Sequence, residues 1–410
     1  MVDLVIKNAK QVITCSRLGL EPPFAGNDAG ELGLTEGGVA IEDGCIVATG
    51  PGAAAMDAKE VIDAEGGVVM PGFVDCHTHA VFYGGRADEF ELRAGGTPYK
   101  TIAERGGGIQ SSMRMLREST DEQLQASTRK HLDWFLEHGT TSIEGKSGYG
   151  LDKESELRSL RALGIKHDVE VVRTCLAAHT VPPEYAGDTR GYLEMVANEI
   201  YPAVLEEGLA KYCDVFCEPG VFTFHEAQLI LEAGKELGLR PRVHADQLSQ
   251  SGGCRLAVRV DAISADHVEY MTQKDAIAMR DAEVMAVFLP AANFVLDQEE
   301  RPPARKVIGA RCPIAVATDF NPGSSPTVSM PLTINMACVR FGLSVAEGIV
   351  GATINAACAI ERQHTIGSLE RGKQADVIIC DVPDYRELVY YFGRNPVRTV
   401  IKKGRVALRR

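Results

Sequence analysis

Two patterns of apolar and polar positions divide the chain. Over roughly the first 67 residues, apolar positions come in short runs between turn formers. Leu4-Val5-Ile6, Gln11-Val12-Ile13-Thr14, Val39-Ala40-Ile41 and Cys45-Ile46-Val47-Ala48 read as strands, with a Gly-, Pro- and acid-rich loop over 19–38. The Asp43-Gly44 step between the last two runs predicts a tight hairpin. From about residue 70, apolar runs of strand length alternate with amphipathic stretches of helical period. Strands are predicted to end near His79, Glu144, His179, Glu218, His244, His267, Pro290 and Asp319. Helices are predicted over 120–138, 152–163, 193–207 (with Pro202 as an irregularity), 226–237, 273–280 and 346–358. Thr120 is placed to cap the first of these and Gly139 to end it. The tail returns to short β runs at 375–380, 397–401 and 404–406.

Strands alternating with helices imply right-handed βαβ units and a parallel sheet. Eight such units predict an α/β fold, a (β/α)8 TIM barrel over residues 68–365. The β runs at the two ends predict one small composite β-sandwich built from 1–67 and 366–410. A doubly wound open sheet is the alternative. It gains nothing from a dinucleotide fingerprint, because Gly106-Gly107-Gly108 lacks the spacing and comes too late in its unit.

Composition narrows the picture modestly. At 410 residues, 45% apolar and 24% charged, the chain reads as a globular protein with a large core. A net charge of −13 excludes the basic footprint of a nucleic-acid binder and leaves an anionic ligand dependent on a local arginine. No apolar run is long enough to span a membrane, and the opening Met1-Val2-Asp3-Leu4 is unlike a signal peptide, so a cytoplasmic protein is expected. Eleven scattered cysteines, with no paired zinc-site spacing, read as reduced thiols.

The chemistry concentrates in Pro71-Gly72-Phe73-Val74-Asp75-Cys76-His77-Thr78-His79. Alternate residues of a strand share a face, so His77 and His79 point together where the strand ends. His179, His244, His267 and Asp319 also fall at predicted strand ends, and in a barrel those ends converge on one mouth. Each alone has an ordinary role; Asp319 by itself would be a helix cap. Imidazoles with one carboxylate form the catalytic pattern of zinc-like metals, and Fe2+ accepts the same donors.

On HxH, GGRADEFELR (84–93), ERGGGI (104–109), KSGYGL (146–151), AAHTVPPEY (177–185), VHADQL (243–248), SADH (264–267) and ATDFNPGSSPT (317–327), nearly the whole chain resembles the metal-dependent amidohydrolase superfamily. Within that superfamily it is similar to the imidazolonepropionase family. HxH marks only the superfamily; KSGYGL, AAHxxPPEY and TDFNPGSSPT are far more specific. The resemblance implies hydrolysis of the lactam C–N bond of a small molecule, an imidazolone propionate, in histidine breakdown. It implies one divalent ion per chain, zinc or iron, held by His77, His79, His244 and Asp319. His267 and Asp319 would move protons, and His267 would also help hold the oxyanion. Arg86 would bind the propionate with its planar guanidinium, and Tyr149, His179, Asn321, Gly323 and Ser324 would contact substrate. The family expectation is a homodimer that engages neither nucleic acid nor membrane.

Two departures qualify this. Gln247 stands where relatives often carry Glu; an amide hydrogen-bonds a ring nitrogen but exchanges no proton with it. Residues 291–295 are less aromatic than expected, and if they line the pocket the preferred ring differs, toward a thio- or oxo-substituted imidazolidine propionate. The residues therefore leave two other readings open: a deaminase of a heterocyclic amine, and a non-enzymatic barrel with a decayed site.

Overall fold

The structure, a computed structural model, describes residues 1–97, 101 and 106–410. Glu104 and Arg105 of the ERGGGI stretch lie outside the described residues. The chain opens with five strands: β1 (Val2–Ile13), β2 (Leu34–Glu42), β3 (Cys45–Gly50), β4 (Ala58–Asp63) and β5 (Val68–Pro71). β1 pairs antiparallel with β2, and β2 with β3. The β2–β3 connection is the predicted Asp43-Gly44 hairpin, with positive φ at both residues and Glu42 opposite Cys45. β4 and β5 lie parallel to successive stretches of β1.

One residue then carries the chain from this sheet into the next. The apolar run 66–74 does not make a single strand; it splits at Gly72 into β5 and β6 (Phe73–Thr78). A Cβ on Gly72 would lie 2.4 Å from Thr141 Cγ2, so only glycine lets the two sheets approach here. The second sheet continues with β7 (Thr140–Lys146), β8 (Glu170–Ala178), β9 (Tyr212–Cys217), the short β10 (Arg240–Pro241), β11 (Val243–Ala245), β12 (Ser264–His267), β13 (Met285–Phe288) and β14 (Ile314–Val316). Its order is β14-β13-β12-β11-β9-β8-β7-β6, all pairs parallel, with β10 leading into β11 alongside β9. The ring closes just beyond β14. Asp319 N donates to His77 O (3.1 Å) and His79 N to Phe320 O (2.8 Å). This is the predicted eight-unit barrel, and its closing bonds fall on the metal-ligand candidates. β15 (Val377–Cys380) then pairs with β5, β16 (Val397–Lys402) with β15, and β17 (Arg405–Arg409) with β16, completing an eight-stranded sheet from both chain ends. Lys402 ties the sheets together, its Nζ donating to Asp376 Oδ2 (2.7 Å) and Thr141 O (2.9 Å).

Helix starts follow local capping chemistry. Thr120, Thr223, Thr272 and Ser344 each accept from the backbone N–H three residues on, and the side chain there returns the bond. Two predicted helices are interrupted. Around Pro202 the chain runs Thr189–Met195, then a π turn over Val196–Ile200, then Tyr201–Glu206. The predicted 346–358 helix is two, Val345–Gly351 and Ile354–Ala359. The break turns the Asn355 side chain back to bond Phe24 N, Phe24 O and Ile314 O at 2.8–2.9 Å, fastening the N-terminal loop to the barrel. Among the described residues the eleven cysteines are all free, and no helix is long and apolar enough to cross a membrane.

His131, on the Asp121–Glu137 helix, is buried behind the first barrel strand. Its Nδ1 bonds Ala80 O at 2.8 Å, and its ring stacks on Phe82. Burial pushes its pKa down to about 4. As pH falls below the ordinary value of ~6.5, the unfolded chain takes up this proton first, so stability is lost between pH ~6.5 and ~4, by up to about 3 kcal/mol. Urea midpoints should therefore drop on acidification from pH 7.5 to 5, and His131→Gln should flatten that drop; an equal slope in the variant would exclude His131 as its source.

Candidate active site

The end of β6, the ends of β11 and β12 and the turn after β14 bring His77, His79, His244, His267 and Asp319 together. His77 lies at the centre, its ring centroid 5.4 Å from His79, 4.6 Å from His244 and 5.6 Å from His267. Asp319 Oδ1 stands 3.5 Å from His77 Nε2 and 3.4 Å from His79 Nε2. Two triads have donor atoms within 4.8 Å of one another, His77–His79–Asp319 and His77–His244–His267. The strand ends are bent to achieve this. His267, Val268 and Asp319 all adopt positive φ, which is a real strain for the β-branched Val268.

The donor set fits a divalent cation. His77 Nε2 is buried and has no hydrogen-bond partner, although it faces a carboxylate 3.5 Å away. An ion between them would satisfy both. Behind these residues lies a charged layer. Asp266 Oδ2 sits 2.6 Å from His77 Nδ1, and Asp214 Oδ2 lies 3.1 Å from His244 Nδ1. Lys146 and Arg242 complete the layer with Glu144, all of them fully buried. With Asp75 and Glu269 taken as neutral, since burial raises both of their pKa values, four carboxylates (Asp319, Asp266, Asp214, Glu144) against two cations leave two negative charges, the deficit one divalent ion neutralises. The metal-free His77 responds to that deficit. Burial and Lys146 act to lower its pKa, but Asp266 and Asp319 outweigh them and lift it to about 9.

Other residues expected at the site fall into three groups. Tyr149 and His179 do flank it, with ring centroids 5.8 and 5.3 Å from His79. His179 Nδ1 bonds Gly148 O at 2.9 Å, and burial, then His79, pushes its pKa down to about 3, keeping it neutral. Arg86 is buried in the loop after β6, paired with Glu89 through Nε (2.9 Å) and Nη2 (2.8 Å). It lines a cavity of about 730 Å³ with Phe82, Phe320, Asn321 and Gly323. A Cβ on Gly323 would lie 2.1 Å from Arg86 Nη1, so this glycine admits the guanidinium.

The third group is engaged locally. Asn321 Oδ1 accepts from Gly323 N (2.9 Å) and Ser324 N (2.7 Å), while its Nδ2 donates to Asp319 O (2.7 Å). These residues shape the Asp319 turn. Gln247 is buried after β11, its carbonyl accepting from Gln298 Nε2 (3.2 Å). The 291–295 segment is helical within Pro290–Val295. Asn293 bonds Gln298, Glu300 and Arg340, and Phe294 is half exposed, which does not match a pocket wall.

Sequence reading missed Asp214, Asp266, Lys146, Arg242 and Glu269. The signal was present: each is a charge within or just after an apolar strand, where a barrel interior normally carries Val, Ile or Leu. Glu269 is buried with neither carboxylate oxygen bonded and lies 3.9 Å from His267 Nδ1.

Comparison with known proteins agrees with this geometry. Residues 215–407 match one model of the Amidohydrolase family, and residues 60–104 match a second. Solved structures of an adenosine deaminase from Xanthomonas campestris (18% identity, 99% of this chain and 93% of that one, TM-score 0.71) and of E. coli guanine deaminase (14%, 99% of both, TM-score 0.72) share the fold. The chain belongs to the amidohydrolases, hydrolases whose divalent metal sits at the mouth of such a barrel. Curated imidazolonepropionases from Solibacter usitatus (44% identity, 100% of both chains) and Geobacillus kaustophilus (44%, 100% of this chain and 98% of that one) narrow the class. It is within the imidazolonepropionase family that this chain falls.

The charge deficit predicts a stability effect of the metal. Chelator-treated protein should melt several degrees lower, and one equivalent of a divalent ion per chain should restore the melting point, since an ion at 1,000 times its Kd contributes about 4 kcal/mol. Calorimetry showing no binding and no thermal shift would rule the centre out.

Proposed function

We propose that this protein hydrolyses 4-imidazolone-5-propanoate to N-formimidoyl-L-glutamate by cleaving the ring lactam C–N bond, a step of histidine breakdown. The observation that carries the reading is the convergence of His77, His79, His244, His267 and Asp319 at one barrel mouth. Full-length likeness to imidazolonepropionases at 44% identity supports the same substrate. His77, His79, His244 and Asp319 would hold the ion, zinc or iron. Bound there, such an ion supplies Lewis acidity, making water acidic enough to attack near neutral pH and polarising a carbonyl oxygen.

The chain's own residues do the rest. Asp319 and His267 take the proton of the attacking water and pass it to the leaving ring nitrogen as its C–N bond breaks, and His267 also helps hold the developing oxyanion. Arg86 receives the propionate, aimed by Glu89 and admitted by Gly323. Tyr149 and neutral His179 border the ring, and Gln247 offers it an amide hydrogen bond. Asn321 and Ser324 act through the turn that holds Asp319. The catalytic barrel begins at Phe73 rather than at residue 68 and runs to about residue 365, and 1–71 with 366–410 make the terminal β unit, to which β5 belongs by its pairing with β1 and β15. The protein works as a cytoplasmic homodimer, the family expectation. A deaminase is not favoured, because Gln247 has no proton to exchange and an arginine beside the mouth suits a carboxylate tail.

Freshly prepared imidazolonepropionate should lose its ring absorbance and yield formimidoylglutamate without ammonia release; no turnover by metal-loaded protein would defeat the assignment. Arg86→Ala should raise KM by roughly 30-fold or more with little change in kcat. Gly323→Ala should act in the same direction by displacing the guanidinium. An unchanged KM in both would remove Arg86 from the substrate site. His267→Ala should lower kcat by about 10²–10⁴ with metal retained; loss of metal instead would make it a ligand.

A further inference from the structure

Lys146 lies in the barrel interior with no exposed surface. Its Nζ is 2.8 Å from Asp214 Oδ2, 2.9 Å from Glu144 Oε1 and 3.7 Å from Asp266 Oδ2. Those two aspartate oxygens are the ones that face His77 Nδ1, in a hydrogen bond of 2.6 Å, and His244 Nδ1, at 3.1 Å but without hydrogen-bond alignment. Lys146 comes from β7, whereas Asp214 and Asp266 come from β9 and β12, the strands on either side of β11 and its His244. One ammonium thus reaches across the barrel to both carboxylates behind two histidines.

Burying an ammonium among three carboxylates is not explained by stability. An apolar side chain of similar volume is often equally stabilising in such a place. Arg242 reaches only one of the two aspartates: it donates to Ala359 O (2.7 Å) and Cys76 O (2.9 Å), and its Nη2 lies 3.6 Å from Asp266 Oδ2, so that Asp266 has a second cation beside it and Asp214 has not. What Lys146 alone does among the described residues is bond one of these aspartates closely while lying within ion-pair reach of the other. A carboxylate kept at the Nδ1 side of an imidazole holds the proton there and leaves the Nε2 lone pair to face the site.

We propose that Lys146 is a positioning residue for the metal centre, bridging Asp214 and Asp266 so that His244 and His77 both present Nε2 to the ion. This rests on the ligand assignment under Proposed function. Glu144, the third partner, contacts neither histidine. It accepts from Thr174 Oγ1, Lys146 Nζ and, at 3.4 Å, Thr78 N, a bond the isosteric amide of Glu144→Gln can keep, and so offers a way to remove the bridge without changing the net charge.

The test is the zinc dissociation constant, measured by competition with a chromophoric chelator, for wild type, Lys146→Met and the charge-balanced E144Q/K146M double variant. The melting point of each metal-free protein is measured alongside. The double variant keeps two uncompensated negative charges, so an effect of net charge alone leaves its zinc affinity at the wild-type value. Loss of the bridge should instead weaken zinc binding by about 10–100-fold, while the metal-free melting point stays within a few degrees of wild type. In ¹⁵N-histidine spectra, two imidazoles should lose their fixed Nδ1–H tautomer. Zinc affinity within threefold of wild type in the double variant overturns the proposal. So does failure of both variants to fold, which makes Lys146 a folding requirement alone. A wild-type protein that binds no zinc or iron refutes the ligand assignment instead.

Discussion

The structure depends on holding more negative than positive charge in a dry barrel interior. Moving one ion out of water and into protein costs several kcal/mol even after relaxation. Here six charged groups are placed there together: Asp319, Asp266, Asp214 and Glu144 against Lys146 and Arg242. Such an arrangement persists when geometry is tight and when something supplies the missing positive charge. A proton on His77 does so in part in the metal-free chain, and a divalent ion does so fully. The same deficit favours a cation at the mouth.

That arrangement also sets the geometry around it. The ligand strand β6 and the turn after β14 are bonded backbone to backbone at His77 and His79, so the closing seam of the barrel is also the floor of the site. Asn321 folds the following turn over Asp319, and its neighbour Gly323 gives way to Arg86. Arg86 and the His/Asp cluster are therefore positioned by adjoining segments of backbone, with main-chain bonds running between them. With an amide at 247, the buried titratable groups around His267 include Asp319 and, behind the ring, Glu269.

Much of this was legible from periodicity. Strand ends marked the cluster of His77, His79, His244, His267 and Asp319 because alternation and convergence are properties of any parallel barrel, and Thr120 marked one helix start. The charged layer was not, because nothing in the order of residues says that Lys146 on one strand meets Asp214 and Asp266 on two others across the barrel. Its trace is local and easily discounted: a charge at an inward position of an otherwise apolar strand, as in Tyr212-Cys213-Asp214-Val215-Phe216. The split at Gly72 was hidden for a related reason. Residues 66–74 are apolar throughout, since both halves are buried, and only the steric conflict with Thr141 shows that the two halves belong to different sheets. The anticipated pocket role of residues 291–295 lapsed because Asn293 is spent on Gln298, Glu300 and Arg340.

Gly72 has a consequence for how the molecule is made. β5 leads into the first ligand strand through this one residue, and β5 is flanked in its sheet by β1, from the start of the chain, and β15, from residues 377–380. On a ribosome, β5 emerges early but has its neighbours on both sides only when nearly the whole chain is out. The barrel closes late for the same reason, since β6 must wait for the Asp319 turn. Local helices form first, and the long-range pairings that assemble the metal centre come last. Assembly of the candidate metal centre thereby waits for the Asp319 turn, and a chain cut short before that turn lacks both the closing bonds and one carboxylate of the cluster.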